Sequence, residues 1–424
     1  MLETILSLLF VVLAIFYTSW IALFFYPTNK DKNLRDVVFQ NISIIIPAHN
    51  EERFILNTIK SVLSARYPRG REIIVVNDRS TDRTEEIVRE ISAKNMRVRI
   101  YNTEKHSGKA AAINLGIKKA RNDIIISLDA DSEVEDEALI KIVKPFSERG
   151  AGAVSGIVRA KDGRNPLIWF QDFEYLLSSG WRFIFNKING TYFFPGFGAF
   201  RKTALEEIGG FSKDTLSEDL DIGIRLKKAG YGLVMSDATI YTRVPETPKG
   251  LIKQRIRWGI GTIQVMKKHS DVIFNRKYGV VGLYCIPTQI YWYVYGFLYL
   301  PIVSYQIFGG YLESFAAHKN YLSLEVAKYF FSWFSVYGMI EYTYKSFIGT
   351  YSMDLAFFTL LIMFSLYMLY NILMMLKFSK PKIRFLFVIF FLFPYYLIIL
   401  CLLVVSCLYN IYNPMNSNRW EKSI

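Results

Sequence analysis

The chain of 424 residues has only three cysteines, Cys285, Cys401 and Cys407, and all of them lie in uncharged, apolar stretches. Because no CxxC pair occurs, the sequence contains neither a disulfide framework nor a cysteine-based metal site. This scarcity is typical of a soluble domain that faces the reducing cytosol. The sequence also lacks a basic tail and a zinc-finger pattern, so its formal net charge of +14 does not indicate a nucleic-acid partner.

Two phosphate-binding signatures are missing as well. The segment HSGKAAAIN (106–114) contains a Gly-Lys pair, but a Walker A loop would need different residues at Thr103 and Ala110. The later segment GFGAFR lacks the third glycine of a dinucleotide loop, so ATPase and dehydrogenase functions lose their main support. Gly108 and Lys109 still begin a predicted helix, where backbone amides favour an anion.

Charge is absent from four long stretches, residues 4–29, 278–312, 355–376 and 385–418. Each contains enough apolar residues to cross a hydrocarbon core of ~30 Å at about 1.5 Å per residue. The intervening segment 30–277 is charged and patterned like a soluble domain. The sequence therefore predicts a multi-pass protein of the cell membrane with one large soluble domain.

The first stretch is predicted to be an uncleaved anchor, because its apolar run is longer than that of a signal peptide and no small-x-small site follows. The basic residues Lys30, Lys32 and Arg35 and the linker KFSKPKIR (377–384) predict a cytosolic position for the segments that contain them. This gives four spans, a cytosolic soluble domain and both termini outside. The aromatic segment 328–350 is interpreted as an interfacial helix, with a poor fifth span as the alternative.

Strand and helix patterns alternate in the soluble segment. Short apolar runs separated by helical patterns are typical of right-handed βαβ units and of a mainly parallel, nucleotide-binding α/β sheet. The predicted strands lie at 42–47, 72–78, 97–101, 123–131, 151–159 and 232–244, with a strand end at GAFRK. The predicted helices end near residue 65 or cover 84–94, 108–120, 166–185 and 218–229.

Polar side chains follow three of these strands, at the edge where open α/β sheets bind ligands. The segment PAHNE (47–51) follows the first strand, Asp78 the second, and Asp129 and Asp131 the fourth. A single such residue could merely cap a helix, but three acidic strand ends in one sheet indicate a site. On an extended segment Asp129 and Asp131 would point the same way, and such a pair favours a hard cation, Mg²⁺ or Mn²⁺.

The segment TLSEDLDIGIRL (215–226) has Glu218, Asp219 and Asp221 at a helix start. Thr215 and Glu218 fit a capping box, in which both side chains bond to backbone amides. The capping box does not explain Asp219. Asp221 is ambiguous, and solvation is one explanation for it.

The segment KQRIRWGIG (253–261) combines cations with a glutamine and a tryptophan just before an uncharged stretch. On a helix, Gln254, Arg257 and Trp258 share one face, whereas Arg255 is predicted to point elsewhere and to meet lipid headgroups. An interfacial anchor explains Trp and Arg, but it has no special need for the glutamine beside them.

The ordered set PAHNE, VVNDRSTD, HSGKAAAIN, LDADSEVE, FFPGFGAFRK, LSEDLDIGIRL and KQRIRWGIG resembles the family 2 glycosyltransferases. More narrowly, it resembles the membrane-embedded processive branch with cellulose, hyaluronan and poly-N-acetylglucosamine synthases, whose QxxRW element Gln254, Arg257 and Trp258 match. The resemblance covers about residues 40–265 plus the flanking spans. It departs at Asn77 and Arg79, where Asp and Gly are commoner, and at SED instead of TED.

The resemblance implies a GT-A glycosyltransferase domain flanked by transmembrane helices. The expected domains are an anchor (1–29), the cytosolic GT-A domain (30–250), an interfacial QxxRW segment (251–277) and a C-terminal transmembrane region (278–424). The tail RWEKSI resembles a W-K-S/T segment that relatives keep in the cytosol, whereas the four-span prediction places the C-terminus outside. The side of the C-terminus therefore stays open at this point.

The resemblance also implies a role for each matching residue. The uracil and ribose of a UDP-sugar are expected at Pro47, His49, Asn50, Glu51 and Asp78. The donor diphosphate is expected at Asp129 and Asp131, through a divalent cation, and at Arg257. Asp219 is expected to be the general base, supported by Glu218 and Lys109. Acceptor contacts are expected at Gly196, Gln254 and Trp258.

The predicted function is inverting transfer from a UDP-sugar that elongates a β-linked polysaccharide and exports it through the protein's own spans. UDP-N-acetylglucosamine is the favoured donor and UDP-glucose the alternative. Two other functions stay open, single-sugar transfer to a membrane lipid and non-enzymatic binding of UDP-sugars. The expected partners are the donor, a polysaccharide or lipid-linked acceptor, membrane lipids and accessory export proteins.

Overall fold

The computed structural model describes residues 2–27, 38–147 and 151–412. The basic residues after the first stretch and the tail RWEKSI lie outside these ranges. The described residues divide into two compact units. One contains the residues up to 27 together with 164–180 and 287–412, and the other contains the remainder up to 163 and 181–286.

Helices and strands are interspersed up to residue 268, and the described elements after it are helical. The helices are α1 (Leu2–Phe25), α2 (Ile55–Ser64), α3 (Thr84–Lys94), α4 (Lys109–Lys119), α5 (Ala138–Val143), α6 (Pro166–Lys187), α7 (Lys202–Glu207), α8 (Glu218–Lys228), α9 (Pro248–Lys268), α10 (Ile286–Ser304), α11 (Gly310–Ser314), α12 (Leu324–Phe334), α13 (Val336–Phe347), α14 (Leu355–Phe378), α15 (Ile383–Phe390) and α16 (Leu392–Tyr412). The strands are β1 (Ile42–Ala48), β2 (Arg71–Asn77), β3 (Val98–Asn102), β4 (Ile124–Leu128), β5 (Ser132–Val134), β6 (Ala151–Ala160), β7 (Phe197–Arg201) and β8 (Gly232–Thr242).

Within the described ranges, the strands form one eight-stranded sheet in the order β3-β2-β1-β4-β7-β6-β8-β5. The strands β3, β2, β1 and β4 are parallel, as the sequence predicts. Beyond them the sheet is mixed, because β7 runs antiparallel to both β4 and β6 while β6 and β8 are parallel. The C-terminal ends of β1, β2 and β4 therefore lie at the same edge.

Apolar strands and close helix packing build the core of this unit. Every residue of β1 is buried, and a fully buried isoleucine contributes about 1.5–3 kcal/mol relative to an exposed one. Helix α4 packs directly on β1, since a Cβ on Gly116 would lie 2.4 Å from the Ile45 side chain. Helix α8 is equally close to the chain before β7, because a Cβ on Gly223 would lie 1.8 Å from the Tyr192 carbonyl oxygen.

Three helices of the described chain, α1, α14 and α16, are long and apolar enough to cross a membrane. They match three of the four predicted spans. The fourth predicted span, 278–312, is helical but is not among the three helices of sufficient length and apolarity. Its helix α10 contains a glutamine, Pro301 and several tyrosines, and π-helical segments flank this helix. The segment 328–350, the alternative fifth span, is not one continuous helix, because α12 and α13 have 11 and 12 residues and are separated at Ser335. The interfacial position of this segment stays a prediction.

Candidate active site

Asp78 follows β2 and is completely buried. Its carboxylate accepts hydrogen bonds from the Thr103 hydroxyl at 2.7 Å and from the backbone amides of Ser107 and Gly108 at 2.9 and 2.8 Å. These amides immediately precede α4, and a carboxylate is stabilised at the positive end of a helix. The anion favoured at the start of α4 is thus the protein's own Asp78 carboxylate, which occupies the Gly108 amide.

The PAHNE segment is fixed against the turn after β2. Asn50 adopts a left-handed φ of 56°, and its side-chain oxygen accepts from the Thr81 amide at 2.8 Å. The Glu51 amide donates to the Thr84 hydroxyl at 2.7 Å. His49 Nδ1 lies 2.7 Å from the carbonyl oxygen of Asp78. The structure thus brings PAHNE and Asp78 together, with Pro47 inside β1 itself.

Lys109, at the start of α4, joins two other predicted site residues. Its Nζ lies 2.6 Å from Asp129 Oδ1 and 3.1 Å from Glu218 Oε1. Burial lowers the pKa of Lys109, but the carboxylates of Asp129, Glu218 and Asp219 outweigh burial and raise it above its usual range. Lys109 is therefore a permanent cation at the centre of an acidic group.

Asp129 and Asp131 differ from the expectation of two carboxylates on an extended segment. Strand β4 ends at Leu128, and Asp131 lies in a turn. Asp131 Oδ1 accepts from the Thr242 hydroxyl at 3.2 Å. Gly196, with a φ of 61°, lies close to the other aspartate, because a Cβ there would be 3.3 Å from Asp129 Oδ2.

The carboxylates of Asp129 and Asp131 are the candidate ligands for a divalent ion. The described residues contain no group of three or more His, Cys, Asp or Glu side chains that could hold a metal. Asp129 and Asp131 nevertheless provide oxygen atoms on partly exposed side chains. Mg²⁺ or Mn²⁺ is commonly held by one or two carboxylates together with substrate phosphates. The residues fit a cation that arrives with its phosphorylated ligand.

Asp219 lies in the first turn of α8. Its carboxylate accepts from the Leu220 amide at 2.9 Å. Burial, then repulsion from Glu218, raise the pKa of Asp219 to about 7, against the opposing effect of Lys109. The capping box predicted from Thr215 is wrong, because Glu218 is the first helical residue rather than the third and its carboxylate pairs with Lys109.

Asp221 is completely buried, so the interpretation that it is solvated is wrong. Its carboxylate lies 2.7 Å from Lys268 Nζ, 2.9 Å from His269 Nε2 and 3.5 Å from Arg225 Nη1. Burial alone would raise the pKa of Asp221, but His269 and Lys268 together hold it below its usual value. Asp221 therefore ties α8 to the end of α9.

The QxxRW residues lie on α9, which begins at Pro248 with the Thr247 hydroxyl accepting from the Gly250 amide. Arg255 was predicted to point away from this face and to meet lipid headgroups. That prediction is wrong, because Arg255 is buried and only 6% exposed. Its guanidinium donates to Gln254 Oε1 and lies 4.3 Å from the centre of the Trp258 ring. Arg257 is half-buried, and its guanidinium has no ion pair or hydrogen bond within the described chain.

Sequence reasoning missed two residues near these groups. Arg182 on α6 is 3% exposed and donates to the Ser155 hydroxyl at 2.9 Å. Burial lowers the pKa of Arg182 to about 9, and the negative charge of Asp219 opposes that shift. His106 packs its ring 4.2 Å from that of His49. A lone arginine in an amphipathic helix and a histidine in a loop give no sequence signal of their own.

Residues 43–209 match the sequence profile described as Glycosyl transferase family 2. Poly-beta-1,6-N-acetyl-D-glucosamine synthase of Staphylococcus epidermidis is 30% identical over 323 residues, which are 73% of this chain and 75% of that protein. The chain belongs to glycosyl transferase family 2.

Further relatives agree with this assignment. The synthase of the same name from Staphylococcus aureus is 31% identical to this family 2 glycosyltransferase over 250 residues, 57% of this chain and 59% of that one. The mannosyltransferase PcManGT from Pyrobaculum calidifontis, solved with GDP-Man and Mn²⁺, has a TM-score of 0.61 at 20% identity and covers 89% of this chain and 99% of its own. The predicted family, enzyme class and GT-A-like fold are confirmed, and the three apolar helices are consistent with membrane embedding.

Proposed function

We propose that this family 2 glycosyltransferase uses UDP-N-acetylglucosamine to elongate a β-linked polysaccharide at the cytosolic face of the membrane and exports the product. One observation carries the proposal. Asp219, a carboxyl group with its pKa raised to about 7, lies in one charged cluster with Lys109, Glu218 and Asp129. A base of that pKa suits proton removal near neutral pH. The synthase relatives support the sugar and the polymeric product.

The donor is proposed to lie along the edge formed by β1, β2 and β4. Pro47, His49, Asn50, Glu51 and Asp78 surround its nucleoside. Asp129 and Asp131 would hold a divalent cation, which neutralises charge on the diphosphate when bound. Lys109 is already a cation beside Asp129. Arg257 is a second cation whose guanidinium has no partner among the described residues, and it can form charge-assisted hydrogen bonds with phosphate.

The chemical step forms one bond and breaks another at the anomeric carbon. Asp219 takes the proton from the acceptor hydroxyl as its oxygen bonds to that carbon. The bond to the diphosphate breaks, and UDP leaves with the electron pair. Attack opposite the leaving group converts an α-linked donor into a β-linked product. The step needs a single base and electrostatic stabilisation of the leaving group, not the paired carboxyl groups of a glycosidase.

The acceptor is proposed to contact Gly196, Gln254 and Trp258. Trp258 offers an apolar ring to the terminal sugar, and Arg255 already covers one face of that ring. The sugar would therefore stack on the opposite face. Gln254, whose oxygen accepts from Arg255, retains its amide hydrogens for a sugar hydroxyl.

The deciding experiment incubates the purified full-length protein in lipid nanodiscs with labelled UDP-N-acetylglucosamine, UDP-glucose and other UDP-sugars. We expect turnover with UDP-N-acetylglucosamine and a product of many sugars on a sizing column. Transfer of one sugar to lipid would instead support the lipid-acceptor function, and preferential use of UDP-glucose would replace the donor.

A matched variant separates catalysis from binding. Asp219→Asn keeps the shape of the side chain but removes the base, so transfer should fall by about 10²–10⁴ while UDP binding persists. Near-normal transfer by this variant would contradict the role of Asp219. If every UDP-sugar bound but none was consumed by the unmodified protein, the enzymatic proposal would fail in favour of a binding module.

A further inference from the structure

His106 has a fixed orientation next to the proposed nucleoside position. Its Nδ1 lies 3.2 Å from the carbonyl oxygen of Asp78 and 3.1 Å from the Asp78 carboxylate. Both of these oxygens can only accept, so Nδ1 of His106 must carry a hydrogen and donate it. In the neutral ring, Nε2 then presents a lone pair.

His49 holds His106 from the side. The two ring centres are 4.2 Å apart at an interplanar angle of 38°. His49 also donates from Nδ1 to the Asp78 carbonyl oxygen, at 2.7 Å. The Asn50 amide nitrogen lies 3.4 Å from His49 Nε2, which fits an accepting nitrogen there. One carbonyl oxygen thus sets the tautomer of both rings.

The accepting nitrogen of His106 is available to a ligand. The side chain is 39% exposed, and its Nε2 has no hydrogen-bond partner in the part of the chain that the structure describes. The Asp78 carboxylate, by contrast, is completely buried and already accepts from Thr103, Ser107 and Gly108. His106 is therefore better placed than that carboxylate to accept a hydrogen bond from a nucleobase.

We propose that Nε2 of His106 accepts a hydrogen bond from the N3–H group of uracil. This hydrogen bond makes the enzyme selective for uridine diphosphates over cytidine diphosphates. Uracil carries a hydrogen on N3, whereas N3 of cytosine is itself an acceptor. Two lone pairs would face each other in the cytidine complex, and the polar group of the site would stay unpaired. The assignment rests on the proposed function, because it takes the donor to be a nucleotide sugar bound at this edge.

The test measures the affinities of UDP, CDP and N3-methyl-UDP by titration calorimetry for the full-length protein in nanodiscs with Mn²⁺. The unmodified protein should prefer UDP over CDP by about tenfold or more, the effect of roughly 1.4 kcal/mol. His106→Phe keeps a ring against His49 but removes the acceptor, so the preference should fall to about one. His106→Gln has an oxygen that can accept a hydrogen bond, so it should retain part of the preference for UDP. The control His318→Phe lies at an exposed site in the other unit and should retain the full preference.

The outcomes distinguish this inference from the proposed function. Absence of turnover with every UDP-sugar would defeat the proposed function. Normal turnover together with an unchanged UDP-to-CDP ratio in His106→Phe would defeat the inference alone. If His106→Phe does not fold, the unmodified protein still decides, because equal affinity for UDP and N3-methyl-UDP would overturn the role of the N3–H group.

Discussion

Asp219 carries a pKa raised to about 7, first by burial and then by repulsion from Glu218. A general base must be ionised, so kcat/KM should rise as the pH passes through about 7 and level off above it. Glu218→Gln removes the repulsion, lowers the pKa of Asp219 and should move the rise to lower pH. The exposed control Glu90→Gln should leave the profile unchanged. A profile that Glu218→Gln does not move would contradict this coupling.

Asp129 and Asp131 set the expected response to metal removal. Their carboxylates would repel a diphosphate without a cation, so excess EDTA should abolish transfer and added Mg²⁺ or Mn²⁺ should restore it. Initial rates of sugar transfer give the measurement, with Ca²⁺-saturated EDTA as the control for a direct effect of the chelator. Full activity in excess EDTA would rule out the role of the metal.

Individual residues were predictable where a motif fixes their place in the chain. Lys109 and Glu218, which lie far apart in sequence, contact each other in the structure. Arg255 was not predictable in the same way. Helical spacing places it off the face of Gln254 and Arg257, but spacing ignores that its long side chain can fold back over Trp258. The contacts of His106 depend on a carbonyl oxygen, and backbone atoms leave no mark on side-chain patterns.

Helix α9 is the element that carries two of the proposed acceptor residues, Gln254 and Trp258. Trp258→Ala should leave the protein folded and membrane-inserted but cripple elongation, with UDP affinity nearly unchanged, because the apolar ring for the sugar is lost. Arg257→Ala should instead weaken the interaction with the donor, which would be measured as a higher KM for the UDP-sugar. Product length and steady-state kinetics distinguish the two, and Ile252→Ala, exposed on the same helix, is the control. Polymer of normal length and rate from Trp258→Ala would leave this helix with an anchoring role only.

The connection between α8 and α9 depends on the buried carboxylate of Asp221. Asp221→Asn removes the charge opposite Lys268, His269 and Arg225. Breaking a buried ion pair typically costs about 3–5 kcal/mol, so the melting temperature of the purified protein should fall clearly. Asp271→Asn also breaks a lysine pair, but an exposed one, and should change the melting temperature little. Equal effects of the two substitutions would refute the importance of burial.

For the secondary-structure elements, the sequence predicts where strands lie better than it predicts whether neighbouring strands are parallel or antiparallel. The continuous apolar runs of β1, β2 and β4 reveal buried strands, and the helices between them require parallel crossovers. Strand β7 gives only a short run, and nothing in Phe197–Arg201 specifies that it pairs antiparallel with β4 and β6. The three residues of β5 pair with the far end of β8, a distant contact that no local pattern encodes.

For the whole molecule, α1, α14 and α16 predict firm attachment to the membrane. Helices of 24, 24 and 21 residues are long enough to cross a hydrocarbon core. The full-length protein should therefore stay in the pellet when membranes are washed with alkaline carbonate, and it should be released only by detergent. A peripheral protein held by charge would enter the carbonate supernatant, and its appearance there would contradict membrane embedding.

The position of β7 between β4 and β6 has a consequence for synthesis on the ribosome. Strands β1 to β4 can pair as soon as they have emerged, but β4 keeps one open edge until β7 arrives about 70 residues later. At about 5–20 residues per second this interval lasts roughly 4–14 seconds. During that time the nascent chain presents an unpaired apolar strand, the kind of edge that recruits other chains. The order of the sheet thus makes the growing polypeptide most vulnerable to aggregation after β4 is complete and before β7 exists.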